Sequence, residues 1–530
     1  MEFLVGLIPI ILFLVLLAVL KKSAMFSAYT SLVVAIILTF VIKKWNMPIP
    51  GIIASIFEGF AVAWMPIGFV VIAALFAYDL SVKTGKIETV KKMLGNISSD
   101  KRAQALILAW GFGGFIEGIA GYGTAVAIPA AIMVSLGFNP LNAALICLIA
   151  NSTPTAFGTV GLPVTTMVSK LGLNPTQTAL FTSLLLLLLT CIIPFIIVQM
   201  ANKEIEEGKN PAFGKGILAV IIASVLGYMI QPIIAGTMGA ELTTILSSLF
   251  AMVLMILAIK FFIKEEEGFE KEPVTGKEAF LAWLPYILMI ILIIGTSPVV
   301  EHIHSLLEPT TTKFNFALGN QAKWFNENGA DPSVTFKWIL APAAPLFVAT
   351  VIAGFIQRAK IKDMGEVLWH TTVHKIPSLV VIMGIVALSV VMKHSGMIQS
   401  IADGFVSLTG KGFPLISPFL GTIGTFVTGS DLSSNLLFGD LQASVANGLK
   451  PGSDVLKELF IAANTAGATG GKMISPQNIA IAASTVGLVG KESDLLKFTV
   501  KHSFFLLIIV CIIIYLQASG ILGWMIPHHP

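Results

Sequence analysis

Hydrophobic residues in this chain run in long blocks, and the polar stretches between them are short. Ten blocks stand out, at 3–20, 24–42, 60–80, 177–199, 216–235, 243–263, 279–298, 336–356, 376–393 and 500–524. Each is near the ~20 residues an α-helix needs to cross a hydrocarbon layer. Two further regions, 103–170 and 412–488, are apolar but broken by Gly, Pro, Asn, Ser and Thr. Each is predicted to form a hairpin that enters and leaves on one side, followed by one interrupted crossing helix. The fold class is therefore an all-α polytopic membrane protein with about twelve transmembrane helices and two re-entrant hairpins.

Composition sharpens this picture. Of 530 residues, 55% are hydrophobic and 12% charged, too apolar a mixture for a soluble domain of this size. The net charge of +4 gives no nucleic-acid footprint. Cys147, Cys191 and Cys511 lie far apart in apolar runs, which suggests neither a disulfide framework nor a zinc site. The first block lacks a basic flank and a small-residue cleavage site, so it is expected to be a retained span. With both termini outside, 22 of the 33 Lys and Arg fall on inner segments and 10 on outer ones, as the positive-inside rule requires. The chain then divides into a first half, 1–263, a polar cytoplasmic linker, 264–278, and a second half, 279–530, with an outer loop at 301–335.

The two interrupted regions resemble each other. Pro66 and Pro377 are 311 residues apart, as are Gly85 in "KTGKI" and Gly396 in "HSGMI", and "FIEG" and "FVTG" keep the same offset. A shift of two aligns "ANSTPTAFGTVGLP" at 150–163 with "ANTAGATGGKMISP" at 463–476. In the predicted topology the two copies start on opposite sides, so the repeat is inverted. Inverted repeats with broken helices in matching places point to a secondary transporter whose site lies near the bilayer midplane.

Charge inside the membrane is costly and marks function by default. Glu117 lies in the first hairpin tip, Asp431 in the second, within "TGSDLSSN", and Lys472 follows the second expected helix break. Asp79 and Asp440 sit nearer segment ends, where an interfacial position is expected. Two carboxylates against one ammonium leave one acid free to carry a proton. Glu117 is the stronger candidate, because its hairpin holds no basic neighbour, while Asp431 is expected to pair with Lys472. "NSTPT" (Asn151, Ser152, Thr153) and "NTAGAT" (Asn464, Thr465) place amides and hydroxyls at the two expected breaks. His370 and His374 have metal-like i, i+4 spacing but read as interfacial, and His528 and His529 receive no role. No nucleotide-binding or hydrolase motif occurs, which removes the usual enzyme and ATP-driven readings.

At these residues the chain resembles the lactate permease family. The runs that carry the resemblance are "GFIEGIAGYGTAVAIPAAIMVSLGFNPLNAALICLIANSTPTAFGTVGLP", "TGSDLSSNLLFGDLQ" and "AANTAGATGGKMISPQNIAIAASTVGLVGKESDLLKFTVKHS". The resemblance implies proton-linked uptake of L-lactate, often with D-lactate and glycolate, through an inverted-repeat fold similar to that of the ion transporter superfamily. The chain departs from the family pattern at Tyr122, Ala125 and Ala466–Gly467, which bears on which hydroxy acid is preferred.

The function expected is thus a secondary carrier of small 2-hydroxy monocarboxylates, not an enzyme, in the cell membrane. Lys472 and the hairpin N–H groups, at Gly118, Gly121, Ser430 and Ser433, hold the carboxylate. Asn151, Ser152, Thr153, Asn464 and Thr465 read the hydroxyl or line the site. Glu117 or Asp431 carries the proton, and no metal or cofactor is implied. A sodium-coupled carrier and an anion or proton channel are the alternatives, and a homodimer stays open. The orientation has its own test: single cysteines labelled from outside are expected to react within 313–330 and to be spared within 86–101. The reverse pattern would overturn both orientation and inversion.

Overall fold

The computed structural model describes residues 2–121, 123–205, 213–264, 271–297, 299–317, 325 and 332–526. Tyr122, His528, His529 and parts of the linker and of the outer loop lie outside the described residues. Helix dominates. Among the described residues eight helices are long and apolar enough to cross a membrane, or nine if the bent pair Pro140–Ala150 and Thr153–Leu171 counts as one span. Shorter apolar helices at Glu2–Leu17, Thr124–Ser135 and Ala343–Ile356 add to these.

Two series of seven helices follow each other along the chain. The first comprises α1 (Ile49–Lys83), α2 (Lys86–Gly95), α3 (Gly113–Ile119), α4 (Thr124–Ser135), α5 (Pro140–Ala150), α6 (Gly158–Leu171) and α7 (Pro175–Ala201). The second comprises α8 (Ile361–His394), α9 (Met397–Thr409), α10 (Ser417–Thr428), α11 (Asp431–Leu449), α12 (Asp454–Ile474), α13 (Pro476–Thr485) and α14 (Glu492–Ala518). Gly85 and Gly396 turn the chain out of α1 and α8 with φ of 70° and 83°, a conformation glycine adopts without the Cβ penalty. The repeated Gly of "KTGKI" and "HSGMI" thus marks the same backbone event twice.

Capping residues set where several of these helices begin. Asn139 and Asn174 accept backbone N–H groups at the starts of α5 and α7, each followed by a proline in the first turn. Ser430 and Ser453 do the same for α11 and α12. These side chains satisfy N–H groups that a helix start leaves without partners.

Packing is closest where glycines meet backbone. In α10 and α12, a Cβ on Gly421 would overlap the Asn464 carbonyl, one on Gly467 the Pro418 carbonyl, and one on Gly471 the Thr422 carbonyl. "NTAGAT" is therefore not a helix break, as the sequence suggests, because α12 runs unbroken through it to Ile474. Its small residues serve the contact with α10. The interruption comes later, at Ser475, whose extended backbone (ψ 130°) precedes Pro476. In the first series the matching break precedes Pro163, with Thr159, Val160 and Gly161 all left-handed.

The two series are joined through α1 and α8, where Gly59 lies against the Ala387 backbone and Glu58 contacts His394 at 2.7 Å, both buried. The apolar block 336–356 is only partly helical. Its first residues complete an antiparallel hairpin of β1 (Thr311–Asn315) and β2 (Ser333–Lys337), and the helix starts at Ala343. Phe336 of β2 is buried against Phe69. The strand hairpin of the 301–335 segment is thus folded back onto α1. The polar linker is also anchored: Asn96 at the end of α2 exchanges two hydrogen bonds with Glu272, and Lys92 pairs with Glu272 at 2.8 Å.

The glycine contact can be tested directly. Gly467→Ala is expected to destabilise the protein by about 2 kcal/mol, the usual cost of forcing a methyl into a filled space. Gly365→Ala, on an open face of α8, is expected to be neutral or slightly stabilising. Thermal unfolding of the two purified variants in detergent measures the difference.

Candidate functional site

Four interruptions in helical structure converge on one buried polar site. They are the turn between α3 and α4, the segment 151–161 between α5 and α6, the turn between α10 and α11, and the break between α12 and α13. The local sequence explains each. Gly121 and Gly123 (φ 55° and 87°) carry the first turn and Gly429 (φ 72°) the third. Pro154 and Pro163 interrupt helix in the second and Pro476 in the fourth. Thr159 and Val160 hold φ of 45° and 55°, a region that costs a branched side chain about 1–3 kcal/mol and persists only where its surroundings enforce it.

At the centre Lys472 Nζ lies 2.6 Å from Glu117 Oε1 and also donates to Thr155 Oγ1. Thr155 Oγ1 in turn donates to Glu117 Oε1 at 3.2 Å. All three residues are buried. Lys472 sits in the last turn of α12, where the helix dipole favours a cation, and Asp431 in the first turn of α11, where it favours an anion. Glu117 has no such help from α3. Its charge is balanced by the lysine of the other series, 355 residues away. This differs from the pairing expected from sequence, in which Lys472 takes Asp431. Asp431 is 3% exposed, and neither of its carboxylate oxygens has a hydrogen-bond partner among the described residues.

Other site residues read from the sequence divide three ways. Gly121 lines the centre, since a Cβ there would overlap Thr159 Oγ1 and lie 3.5 Å from Glu117 Oε1. Asn151 caps the end of α5 with both ends of its amide buried and without partners among the described residues. Thr153 is buried at the start of the following 3-10 turn. A second group serves structure. Gly118 faces the neighbouring helix Thr243–Phe262, a Cβ falling 2.8 Å from Ile245. Ser152 Oγ donates to the Ile149 carbonyl, and Ser430 Oγ accepts from the Ser433 N–H as the cap of α11. A third group lies deeper in the helix pairs. Asn464 Nδ2 donates to Asn435 Oδ1 at 2.7 Å, Thr465 accepts from Asn435 Nδ2 at 2.8 Å, and Gln442 Nε2 donates to Asn464 Oδ1 at 3.0 Å. Asn435 also donates to the Pro163 carbonyl, tying this network to the break in the first series.

Sequence reasoning missed Thr155, Thr159 and Asn478. Thr155 was within reach, as the last residue of "NSTPT". Thr159 Oγ1 donates to the Ala120 carbonyl, and Asn478 Nδ2 donates to the Gly429 and Lys472 carbonyls, pinning the two interruptions of the second series together. Asp440, expected at an interface, is instead 2% exposed and paired with Lys170 at 2.5 Å. Asp79, also expected near an interface, accepts a hydrogen bond from Thr371 Oγ1 at 2.5 Å. His370 and His374 stack with ring centroids 3.9 Å apart, and no group of three potential metal ligands occurs among the described residues.

Taken together, the centre holds one ammonium, one carboxylate bound to it and a nearby carboxyl without a hydrogen-bond partner among the described residues, while an amide in the same state, Asn151, opens the adjoining interruption. Such a site suits a small anion with hydrogen-bonding groups. The pair itself is testable by a double-mutant cycle on thermal stability. Lys472→Met alone is expected to cost about 3–5 kcal/mol by stranding Glu117. The double variant with Glu117→Gln should recover more than half of that loss.

Comparison with known proteins covers nearly the whole chain. A family model described as L-lactate permease matches residues 2–521. An L-lactate permease of Streptococcus iniae is 40% identical over 84% of this chain and 90% of its own. The L-lactate permease of Bacillus subtilis is 34% identical, and the glycolate permease GlcA of Escherichia coli 33%, each over 99% of this chain and 97% of its own. Among solved structures, the Alcanivorax borkumensis YdaH transporter aligns with 89% of each chain at 15% identity and a TM-score of 0.47. The sequence matches, spanning both series of helices and the site between them, decide the assignment: this chain belongs to the L-lactate permease family.

Proposed function

We propose that the protein is a secondary carrier that takes up L-lactate and related 2-hydroxy monocarboxylates, D-lactate and glycolate among them, together with a proton. Twelve spans, two re-entrant hairpins (around α3–α4 and α10–α11) and an inverted repeat, with both termini outside, form the membrane frame of this reading. The recurrence of seven helices in the same order, with the left-handed glycine and the break before proline in matching places, supports it.

One observation carries the mechanism: Lys472 is paired with Glu117, while Asp431 is buried beside them without a hydrogen-bond partner among the described residues. A substrate carboxylate can take up Lys472 and the N–H groups at the turns, with Gly121 leaving room for close approach. Thr155, bonded to Lys472, then meets the 2-hydroxyl, together with Asn151 and Thr153 of the same interruption. Carrying an isolated charge into a buried site costs several kcal/mol. The acid without a partner is therefore the one to which the co-transported proton goes. Asp431 takes that role here, and Glu117 keeps Lys472 in place. The order is the reverse of the sequence expectation, because Lys472 lies on the other acid. A sodium ion coordinated by Asn151 and turn carbonyls in place of the proton is the second reading, favoured by that amide's lack of partners.

Proteoliposomes separate these readings. Uptake of L-lactate against its gradient is expected under an inward proton gradient and not under a sodium gradient alone. Asp431→Asn is expected to keep lactate–lactate exchange within about threefold while losing accumulation driven by the pH gradient. Glu117→Gln is expected to weaken lactate binding by about tenfold or more, ~1.4 kcal/mol, because Lys472 is no longer held in the position from which it meets the substrate. Accumulation by Asp431→Asn equal to that of the unmodified protein would remove Asp431 from the coupling step.

A further inference from the structure

A second buried cluster of charge lies away from the central site and has no part in the mechanism above. Asp440 Oδ2 accepts from Lys170 Nζ at 2.5 Å and from Ser389 Oγ at 2.8 Å. Lys170 Nζ also reaches Ser389 Oγ at 3.3 Å, and Lys393 Nζ stands 3.6 Å from Asp440 Oδ1. Three helices meet here, with Lys170 in the last turn of α6, Asp440 midway along α11, and Ser389 and Lys393 near the end of α8. Two ammoniums share one carboxylate, so the cluster carries one surplus positive charge.

The two lysines are not equivalent. The Lys170 side chain is 6% exposed, whereas that of Lys393 is 38% exposed. At 3.6 Å from its acid, Lys393 is beyond a good hydrogen bond. Its ammonium makes none among the described residues. Donors facing outward, backed by a second buried cation, are what an incoming carboxylate would find. Next in sequence, His394 turns away to Glu58 on α1.

Position in the fold gives this surplus charge a direction. The helix that ends at Lys170 starts from the left-handed run at the centre, and the helix that carries Asp440 starts at Asp431. Nine residues of α11 separate the two acids, roughly 14 Å along the helix. The same two helices therefore line the central site at one end and hold the lysine cluster at the other. We infer that Lys393 and Lys170, held in place by Asp440, form a capture site for the substrate carboxylate at the mouth of the path to Lys472. This inference rests on the carrier reading, in which that mouth faces outside. Asp440 competes with the arriving anion for both lysines, so capture stays weak and the anion can move inward, as conduction through charged sites requires.

Capture acts on rates, and the test reads rates. L-lactate binding to the purified full chain is followed with time at low and high ionic strength. Lys393→Gln is expected to slow association about fivefold at low salt, with the gap closing at high salt, where exposed charges are screened. Dissociation should slow by the same factor, leaving the equilibrium affinity within about twofold, and Lys393→Arg should restore both rates. An unchanged association rate in Lys393→Gln overturns the capture site. So does a loss of equilibrium affinity that is independent of salt, which would put Lys393 in the final complex. Absence of L-lactate binding by the unmodified protein would overturn the carrier reading itself, and the capture site with it.

Discussion

The rest of the site depends on one ion pair. Glu117 and Lys472 are each too costly to bury alone, and they come from opposite ends of the chain, so the pair forms only when both series of helices are in place. Around it the protein arranges what the pair lacks. Thr155 bridges both partners, the end of α12 favours the ammonium, and the start of α11 holds a second acid close by without joining it. The centre thus holds one carboxyl more than its ammonium balances.

That arrangement requires irregular backbone deep within apolar structure, and the cost is distributed. Glycines take most of the left-handed positions, prolines end helices where a break is wanted, and side-chain amides cover carbonyls that the breaks expose. The strained positions Thr159 and Val160 are the exception, and they lie beside Glu117. Thr159 is held by its bond to the Ala120 carbonyl, so the strain at one interruption is supported by the next.

Much of this was legible in the sequence because membranes impose simple rules. Helix length follows from hydrocarbon thickness, which is why most apolar blocks coincide with helices. A charge among glycines at membrane depth has few explanations, and Glu117, Asp431 and Lys472 do lie together. What could not be read is who touches whom. Lys472 is equally able, by sequence, to choose either acid. The choice is made by tertiary packing, which brings the end of α12 onto Glu117 and Thr155. The same limit explains the error at "NTAGAT". Small residues that would weaken an isolated helix are also those that let two helices touch, and only the structure shows α10 in contact. The strands β1 and β2 were hidden for a different reason. Phe336 falls in an apolar block by composition, although it is buried by a hairpin folding back.

The glycine faces of α10 and α12 have a consequence for how such a protein could change its preferences. With Gly421, Gly467 and Gly471 each against a neighbouring carbonyl, α12 has no freedom to roll about its own axis. The point from which Lys472 reaches into the centre is therefore set by main-chain shape, and Glu117 and Thr155 hold the ammonium itself. On the proposed reading, drift at Asn151, Thr153 or Thr155 would then alter which part of an acid is accommodated while the anchor for its charged end stays where it is. A scaffold of this kind lends itself to descendants that exchange one short hydroxy acid for another more readily than to ones that abandon anions altogether.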